Sequence, residues 1–479
     1  MSPAIPLRIL HTESSLNWGG QEYRTLEEVR WLRAHGHMAW IACDPESELM
    51  LRAGPEFCVP VKMSRALDWQ AARAIRHFCR SRGVDVVHTH SSKDSWICYP
   101  LHVTSWPVVR SRQVTNLVRP SLDRSFIYRH GCAAVVASAE CIREKLISHT
   151  GVAADRVHVI GEGTDIERFN PAVDGTRVRG EWRVSGDAVL FGLAAMIRPE
   201  KGHDVFISAA IELLKTHGEK VRFVLVGEGV GDRAYEREVR SRLTALFGSA
   251  EDGPVFMAGY RHDMPEVMAA LDVLVIPSFA EAQSIVTPQA FATGRPVIAS
   301  RVGGLPELVT DEKTGLLVES NNVPALVAAM TRMADDRAFR KSAGENAREL
   351  ARHALSFSAK MEQCLSFYEQ MVEASARPLT AKRRRVKASE PKRASVRPRR
   401  SRRRVAAALT PVFAFALALM IFLRPTLHDV PVNALNVSEQ IHSSSAEEGF
   451  YSDDYSEESN VDETVSPVLF ATADERIIG

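Results

Sequence analysis

Short apolar runs alternate with longer amphipathic segments through most of the chain. In the first half the runs lie at residues 7–12, 37–43, 84–90, 106–113 and 133–138, and the segment 157–171 closes the series. A second series occupies residues 188–196, 221–229, 254–260, 270–278, 296–300 and 315–320. Strands that alternate with helices form mostly parallel sheets covered on both faces. The pattern therefore predicts two doubly wound, Rossmann-like α/β units.

The polar segment 172–186 separates the two series and predicts a linker. We expect one domain over residues 1–172, a second over 187–355, and an amphipathic helix over 356–376 that crosses back and braces both halves. Within the second domain, Thr287 is the predicted N-cap of a helix with Pro288 at its first position, because this pairing suits a helix start.

Small and charged residues follow several predicted strands. Gly19 and Gly20 lie in the loop after the first strand, where the absence of a side chain lets the backbone approach a ligand. Arg198 and Lys201 follow the first strand of the second series, and Glu281 follows ALDVLVIPS. Such sheets bind ligands at the carboxyl ends of their strands, and two cations there can neutralise a diphosphate. Ordinary tight turns and solvated loops are the alternatives.

His88 and His90 end the predicted strand 84–90 and raise the question of a metal site. No third ligand is evident beside them in the sequence, whereas zinc sites use at least three protein ligands. We expect no metal here, and expect both side chains to line a cleft or to satisfy local hydrogen bonds.

The composition, 45% hydrophobic and 25% charged among 479 residues, is that of a globular protein. The net charge of +1 conceals an asymmetry, since Lys and Arg cluster at 382–404 and Asp and Glu after residue 439. Seven scattered cysteines without C-x-x-C pairs predict reduced thiols rather than a disulfide framework. The first ten residues lack a sustained apolar segment, so no N-terminal signal peptide is expected.

The sequence changes character after residue 376. Residues 377–404 are basic, without apolar periodicity, and predict a disordered linker. The uncharged run 405–423 would span about 28 Å as a helix, close to the thickness of a bilayer core, and predicts a transmembrane helix. A buried core helix is the alternative. The basic residues 382–404 would then contact anionic lipids on the cytoplasmic side, an interpretation we prefer to nucleic-acid binding. Residues 424–479 would form a disordered acidic tail.

Several motifs occur in the order and spacing of a known family. They are WGGQEYR (18–24), VDVVHTHSSKDSW (84–96), GEGTDIERFNP (161–171), RPEKG (198–202), VLVGEG (224–229), AGYRHDMPEVMAALDVLVIPS (258–278) and ATGRPVIASRVGGLPELV (292–309). Residues 7–374 resemble retaining glycosyltransferases of family 4, which have the GT-B fold of two Rossmann-like domains facing a cleft. The resemblance implies a nucleotide-diphosphate sugar donor held by the second domain, an acceptor held by the first, and no metal or other cofactor.

The resemblance also implies roles for individual residues. Glu281, which begins the family's E-x7-E element, would contact hydroxyls of the donor sugar, and Gln289 would face the ribose. Arg198 and Lys201 would hold the diphosphate and, with Glu281, form the catalytic set. The remaining implied donor contacts are Gly19, Gly20 and the backbone N–H groups of Ser284, Ile285 and Val286, and the implied acceptor side of the cleft comprises His88, His90 and Gln113.

Three residues depart from the family's pattern. Gln289 stands where a second glutamate is common, Gln113 stands where relatives carry a histidine, and Gln283 replaces a bulky apolar residue. An amide still hydrogen-bonds a ribose hydroxyl, so we expect altered nucleotide affinity rather than a lost fold.

Together these features predict a retaining glycosyltransferase that transfers a hexosyl or N-acetylhexosaminyl group from a nucleotide-diphosphate sugar. The expected acceptor is a glycolipid or lipid-linked glycan, such as a lipopolysaccharide core or a polyprenyl-linked glycan. A single span would attach cytosolic catalytic domains to the inner membrane, with the tail on the opposite side and no nucleic-acid partner. Two alternatives stay open: a catalytically weakened GT-B protein that binds nucleotide sugars or acts as a scaffold, and a sugar-nucleotide epimerase.

Overall fold

Two parallel sheets flanked by helices form the core of the protein. The structure is a computed structural model and describes residues 6–104, 106–113, 122–229 and 233–376. The predicted basic linker, transmembrane helix and acidic tail (377–479) lie outside these residues. Among the described residues, no helix combines the length and the apolar character that crossing a membrane requires.

The first sheet contains seven described strands in the order β3-β2-β1-β4-β5-β6-β7, all parallel. They are β1 Arg8–Glu13, β2 Met38–Cys43, β3 Cys58–Pro60, β4 Val86–Thr89, β5 Val108–Arg112, β6 Ala134–Ala137 and β7 Val157–Val159. The helices between them are α1 Gly20–Ala34, α2 Glu48–Ala53, α3 Trp69–Arg82, α4 Ser92–Thr104, α5 Leu122–His130 and α6 Glu140–Thr150. The edge strand β3 was not predicted, because three residues are too few to show a period.

The second sheet contains six described strands in the order β10-β9-β8-β11-β12-β13, again parallel. They are β8 Val189–Ala194, β9 Val221–Val226, β10 Val255–Gly259, β11 Val273–Ile276, β12 Val297–Ser300 and β13 Gly315–Val318. The helices are α7 Thr176–Glu181, α8 His203–His217, α9 Ala234–Phe247, α10 Met264–Ala270, α11 Val286–Ala292, α12 Leu305–Leu308, α13 Val323–Asp335, α14 Arg337–Ala354 and α15 Phe357–Ala376.

In each sheet, the next strands of the chain are added on one side of its first strand, and the later strands are added on the other side. The strand order thus reverses beside the first strand. Strand β1 lies between β2 and β4, and β8 lies between β9 and β11. A crevice opens at such a reversal outside the carboxyl ends of the strands, and this is where doubly wound sheets bind ligands. The predicted glycine loop follows β1 and the predicted cationic loop follows β8, so both candidate loops lie at a reversal.

The segment expected to be a linker, 172–186, belongs largely to the second domain. It contains helix α7. Val178 of this helix and Trp182, directly after it, are buried in the hydrophobic core of the second domain. Arg179 ties the helix to α10, donating to the Ala270 carbonyl at 2.9 Å and to Asp272 at 3.0 Å. The polar composition of the segment concealed these two apolar anchors.

Helix α15 returns to the first domain. Its Met361, Cys364, Phe367 and Tyr368 are buried in the core formed with β1 and β4. Where the chain returns, the backbone of Thr164 donates to Leu355 at 2.9 Å and accepts from Phe357 at 2.7 Å. The two crossings between the domains therefore run side by side.

Candidate functional site

Two loops of the second domain carry the predicted catalytic residues. The loop after β8 forms a 3-10 turn over Pro199–Lys201, and the loop after β11 carries Glu281. The ammonium Nζ of Lys201 donates to Glu281 Oε2 at 2.8 Å. Both side chains are less than one-fifth exposed, so the ion pair is partly shielded from water. Arg198 lies at the start of the same turn, with its guanidinium 3.9 Å from Glu200.

Gly202 holds the two loops together. Its φ of +72° is a left-handed conformation, and a Cβ placed on it would lie 2.1 Å from the carbonyl oxygen of Pro277. The backbone N–H of Phe279 also donates to the carbonyl of Glu200 at 2.8 Å. A glycine is needed for this approach, which brings Lys201 to Glu281.

Helix α11 begins one residue before the predicted N-cap. The helix starts at Val286, and the hydroxyl of Ser284 accepts from the backbone N–H of Thr287 at 3.2 Å. Thr287 is thus inside the first turn, and the expectation that it caps the helix was wrong because Ser284 already supplies the acceptor. The backbone N–H groups of Ile285 and Val286 lie at the start of the helix, so no carbonyl within the helix can accept from them. Their contact with a phosphate stays a prediction.

Gln289 lies on α11 and is 7% exposed. Its amide oxygen is buried and has no hydrogen-bond partner among the described residues. A buried acceptor without a donor is costly, so this oxygen is available to a ligand hydroxyl.

The glycine loop of the first domain faces the second domain directly. A Cβ placed on Gly20 would lie 2.7 Å from Cδ1 of Ile285. Ile285 belongs to the loop 277–285 between β11 and α11, which we call the donor loop. Gly19 occupies the N-cap position of α1. Across the same gap, Gln283 accepts a hydrogen bond from the backbone N–H of Glu162. The donor loop therefore touches the first domain at two points, and Gln283 makes a contact that an apolar residue could not.

His88 is in the core rather than at a cleft wall. It is 2% exposed, its Nδ1 lies 2.6 Å from the hydroxyl of Tyr368, and its Nε2 lies 2.7 Å from the hydroxyl of Ser111. Both ring nitrogens are thus engaged, which leaves none for an acceptor. Of the two roles expected for His88, the structure supports local hydrogen bonding rather than a place in the cleft, because His88 lies on a central strand beside α15.

His88 belongs to a buried cluster with His11, Glu28 and His90, whose possible metal-ligand atoms lie within 4.8 Å of one another. The structure thus supplies neighbours that the sequence did not reveal. His11 Nδ1 and His90 Nε2 lie 2.9 Å apart, a hydrogen-bond distance. Burial, followed by the charge of Arg24, lowers the pKa of His11 to about 3. The network is only partly satisfied, because His11 Nε2, His90 Nδ1 and Glu28 Oε2 are buried without a hydrogen-bond partner among the described residues.

The end of the first sheet holds buried carboxyl groups that the sequence analysis missed. Glu13 ends β1 and accepts from Gln21 at 2.6 Å and from the backbone of Ser15 at 3.0 Å. Burial, followed by the charges of Glu22 and Asp94, raises the pKa of Glu13 well above its usual value. Burial also raises the pKa of Asp94 to about 6. The available signal was an acidic residue at the end of β1 and another in the first turn of α4, the helix that follows β4.

His90 and Gln113 follow the adjacent strands β4 and β5. Each retains a buried nitrogen without a hydrogen-bond partner in the described part of the chain, Nδ1 of His90 and Nε2 of Gln113. These two residues, unlike His88, keep polar atoms available at the sheet's carboxyl end.

Two family models match the chain. Residues 18–168 match Glycosyltransferase Family 4, and residues 187–336 match Glycosyl transferases group 1. The chain belongs to this family of glycosyltransferases, whose members have the GT-B arrangement of two Rossmann-like domains.

A D-inositol 3-phosphate glycosyltransferase of Corynebacterium efficiens is 32% identical over 232 residues, which are 48% of this chain and 54% of that protein. The chain thus spans about half the length of the curated relative. Among solved structures, a glycosyltransferase from Rickettsia africae matches with a TM-score of 0.68 and 21% identity, over 77% of this chain and 99% of that one. Anabaena Alr3699/HepE in complex with UDP-glucose matches with a TM-score of 0.66 and 19% identity, over 76% and 100%. These two likenesses concern the fold.

Proposed function

We propose that this protein is a retaining glycosyltransferase that uses a nucleotide-diphosphate sugar. The observation that carries the proposal is the Lys201–Glu281 pair, which lies at the strand-order reversal of the second sheet. It combines a cation for a diphosphate with a carboxylate for sugar hydroxyls. A solvated surface pair would serve neither purpose, but this pair is partly buried and is held by Gly202.

The geometry accounts for how such a site would act. Lys201 has three N–H donors, and Glu281 occupies one of them, so the remaining two can face the diphosphate. As the glycosidic bond breaks, negative charge grows on the leaving diphosphate, and Lys201 and Arg198 would stabilise it. Glu281 would accept hydrogen bonds from sugar hydroxyls and orient the ring. Retention at the anomeric carbon follows if the acceptor approaches from the diphosphate side.

The donor proposal rests on Gln289 and on a structural neighbour. Gln289 offers a buried amide oxygen to a ribose hydroxyl. HepE was solved with UDP-glucose bound. We therefore infer that a UDP-sugar is the first donor to test, ahead of GDP-, ADP- and dTDP-sugars.

Two acceptor classes follow from different observations. Two relatives from Corynebacterium are D-inositol 3-phosphate glycosyltransferases, which favours a phosphorylated inositol. The predicted span at 405–423 favours a lipid-linked glycan or lipopolysaccharide acceptor, with the catalytic domains on the cytoplasmic side of the inner membrane. We propose the soluble phosphorylated acceptor first, because it rests on 32% sequence identity over 232 residues.

The test is transfer by the full-length chain from each UDP-, GDP-, ADP- and dTDP-sugar to inositol 3-phosphate and, separately, to a membrane extract. Product NMR gives the anomeric configuration. We expect a retained configuration with one donor, and loss of transfer in Glu281→Gln. Inverted product would refute the retaining mechanism, and an unaffected Glu281→Gln would refute the site.

The second candidate is a nucleotide-sugar-binding protein with weak turnover. It draws on Gln289, which by the family resemblance stands where a glutamate is common, and on Gln113, which stands where a cleft histidine is expected. Calorimetry that detects nucleotide binding, together with no transfer to any acceptor, would favour it. Fractionation and protease protection of the full-length chain in cells would test the proposed membrane attachment.

A further inference from the structure

Glu307 of the second domain contacts the first turn of a helix in the first domain. Its carboxylate accepts from the backbone N–H of Glu140 at 2.9 Å (Oε2) and of Cys141 at 3.0 Å (Oε1). Glu307 lies on α12, and Glu140 and Cys141 begin α6. One carboxylate thus bridges the two domains with both of its oxygens.

The chemistry of this contact favours a closed arrangement, in which the two Rossmann-like domains lie against each other. The first N–H groups of a helix have no partner within the helix and lie at the positive end of its dipole. Ala139, at the N-cap position of α6, has no side-chain acceptor to offer them. A carboxylate from the facing domain satisfies two of them through charge-assisted hydrogen bonds. The contact is exposed to solvent, which makes its contribution modest.

Glu307 is also connected to the candidate catalytic loop. The backbone N–H of Gly304 donates to the carbonyl of Glu281 at 3.2 Å. Gly303, at a φ of +54°, lies so close that a Cβ on it would be 1.6 Å from the same oxygen. Because Gly303 and Gly304 lead directly into α12, the positions of Glu281 and Glu307 are coupled through a short rigid segment.

The first domain approaches this segment closely. A Cβ placed on Gly304 would lie 2.9 Å from Cβ of Ala139, directly before α6. The turn 303–307 therefore meets the first domain through backbone packing as well as through the Glu307 carboxylate.

We propose that Glu307 is a positioning residue: by binding the N-terminus of α6 it holds the two domains closed and fixes the Glu281 loop relative to the acceptor side. This inference rests on the proposed function, because its kinetic consequence requires a transfer reaction between groups held by opposite domains. Glu307 does not itself touch the reacting atoms.

Four variants of the full-length chain test the contact. Glu307→Ala removes both hydrogen bonds, and Glu307→Gln removes the charge while keeping one acceptor oxygen. Glu140→Pro removes one N–H donor at the first helical position, where proline is tolerated, and Ala139 already has the extended backbone that precedes proline. Glu140→Ala is the matched control, since it removes the same side chain but keeps the N–H.

The first measurement is amide hydrogen exchange of the peptide around residues 138–146, which requires no activity. We expect faster exchange at Cys141 in Glu307→Ala, and an unchanged rate in Glu140→Ala. The second measurement is kinetic. We expect the acceptor-side kcat/KM to fall about tenfold in Glu307→Ala and severalfold in Glu307→Gln and Glu140→Pro. The Kd for UDP, most of whose proposed contacts lie in the second domain, should change less than twofold.

Equal exchange and equal kcat/KM in Glu307→Ala and the native chain would overturn the proposal. An equal loss of UDP affinity and kcat/KM would also overturn it, because it would indicate local misfolding of the donor domain. If the native chain transfers no sugar, the proposed function fails, but the exchange measurement still decides whether Glu307 closes the domains.

Discussion

The ammonium group of Lys201 lies 2.8 Å from a carboxylate oxygen of Glu281, although 80 residues separate them in the chain. They approach because the loop after β8 and the loop after β11 lie at neighbouring strand ends, and Gly202 permits their backbones to touch. Contacts within the second domain therefore hold the pair in place. Lys201 is positioned to exchange part of its interaction with Glu281 for one with a diphosphate.

Removal of either member of this pair should strongly reduce transfer. Lys201→Met removes a charge that would stabilise the leaving diphosphate, and Glu281→Gln removes the acceptor for sugar hydroxyls. We expect kcat/KM to fall about 100-fold or more in each, since electrostatic groups of this kind contribute on that scale. Because the residues touch, the double variant should lose less than the product of the two single effects. Additive losses would show that the residues act independently.

Gly202→Ala should destabilise the second domain and misplace Lys201. The substitution combines an unfavourable φ with a Cβ 2.1 Å from the Pro277 carbonyl. We expect a loss of about 3 kcal/mol in the free energy of unfolding, measured in urea. Gly248→Ala is the matched control, since Gly248 also has a left-handed backbone (φ +80°) but nothing lies within 4 Å of the added Cβ. It should cost only about 1 kcal/mol, and equal losses at both positions would contradict the role given to the Pro277 contact.

The sequence predicted both sheets, their parallel strands and the loops that carry Lys201 and Glu281, because these depend on local periodicity and on the rule that ligands bind at strand ends. It left the role of His88 open between a cleft and local hydrogen bonds, because only the three-dimensional neighbours Tyr368 and Ser111 decide between them. Nor did it predict the Glu307–α6 contact, which joins residues 167 apart through backbone groups that carry no sequence signal.

The buried histidine cluster should make the protein less stable as the pH falls. Burial is the largest cause of the lowered pKa values of His11, His88 and His90, and neighbouring rings and Arg24 add to it. A histidine whose pKa is lowered on folding stays neutral in the folded chain and takes up a proton once unfolded. Its contribution is thus complete above pH 6.5 and is lost below it, by about 1.4 kcal/mol per pH unit for each ring.

The raised pKa values of Glu13 and Asp94 act in the opposite direction, because these groups bind protons more tightly when folded. The informative quantity is therefore a difference between variants. Between pH 6 and 5, the slope of unfolding free energy against pH should be about 1.4 kcal/mol per unit smaller in His11→Asn than in the native chain. Identical slopes from urea unfolding would indicate that His11 is protonated in the folded state.

Gln289→Glu should strengthen nucleotide binding while weakening the unliganded protein. The amide oxygen of Gln289 is buried without a hydrogen-bond partner among the described residues. A carboxylate at this position would be buried and unpaired in the absence of ligand, which should cost more stability than the roughly 1–3 kcal/mol of an unpaired neutral group. With nucleotide bound, the same carboxylate would accept a charge-assisted hydrogen bond from a ribose hydroxyl, and we expect the Kd for UDP to fall about fivefold.

Calorimetry and urea unfolding, each with and without UDP, measure the two effects. The control Gln289→Met keeps the volume of the side chain but offers no oxygen, so it should weaken UDP binding. If Gln289→Met binds UDP as tightly as the native chain, Gln289 does not face the ribose and α11 does not form the nucleoside end of the site.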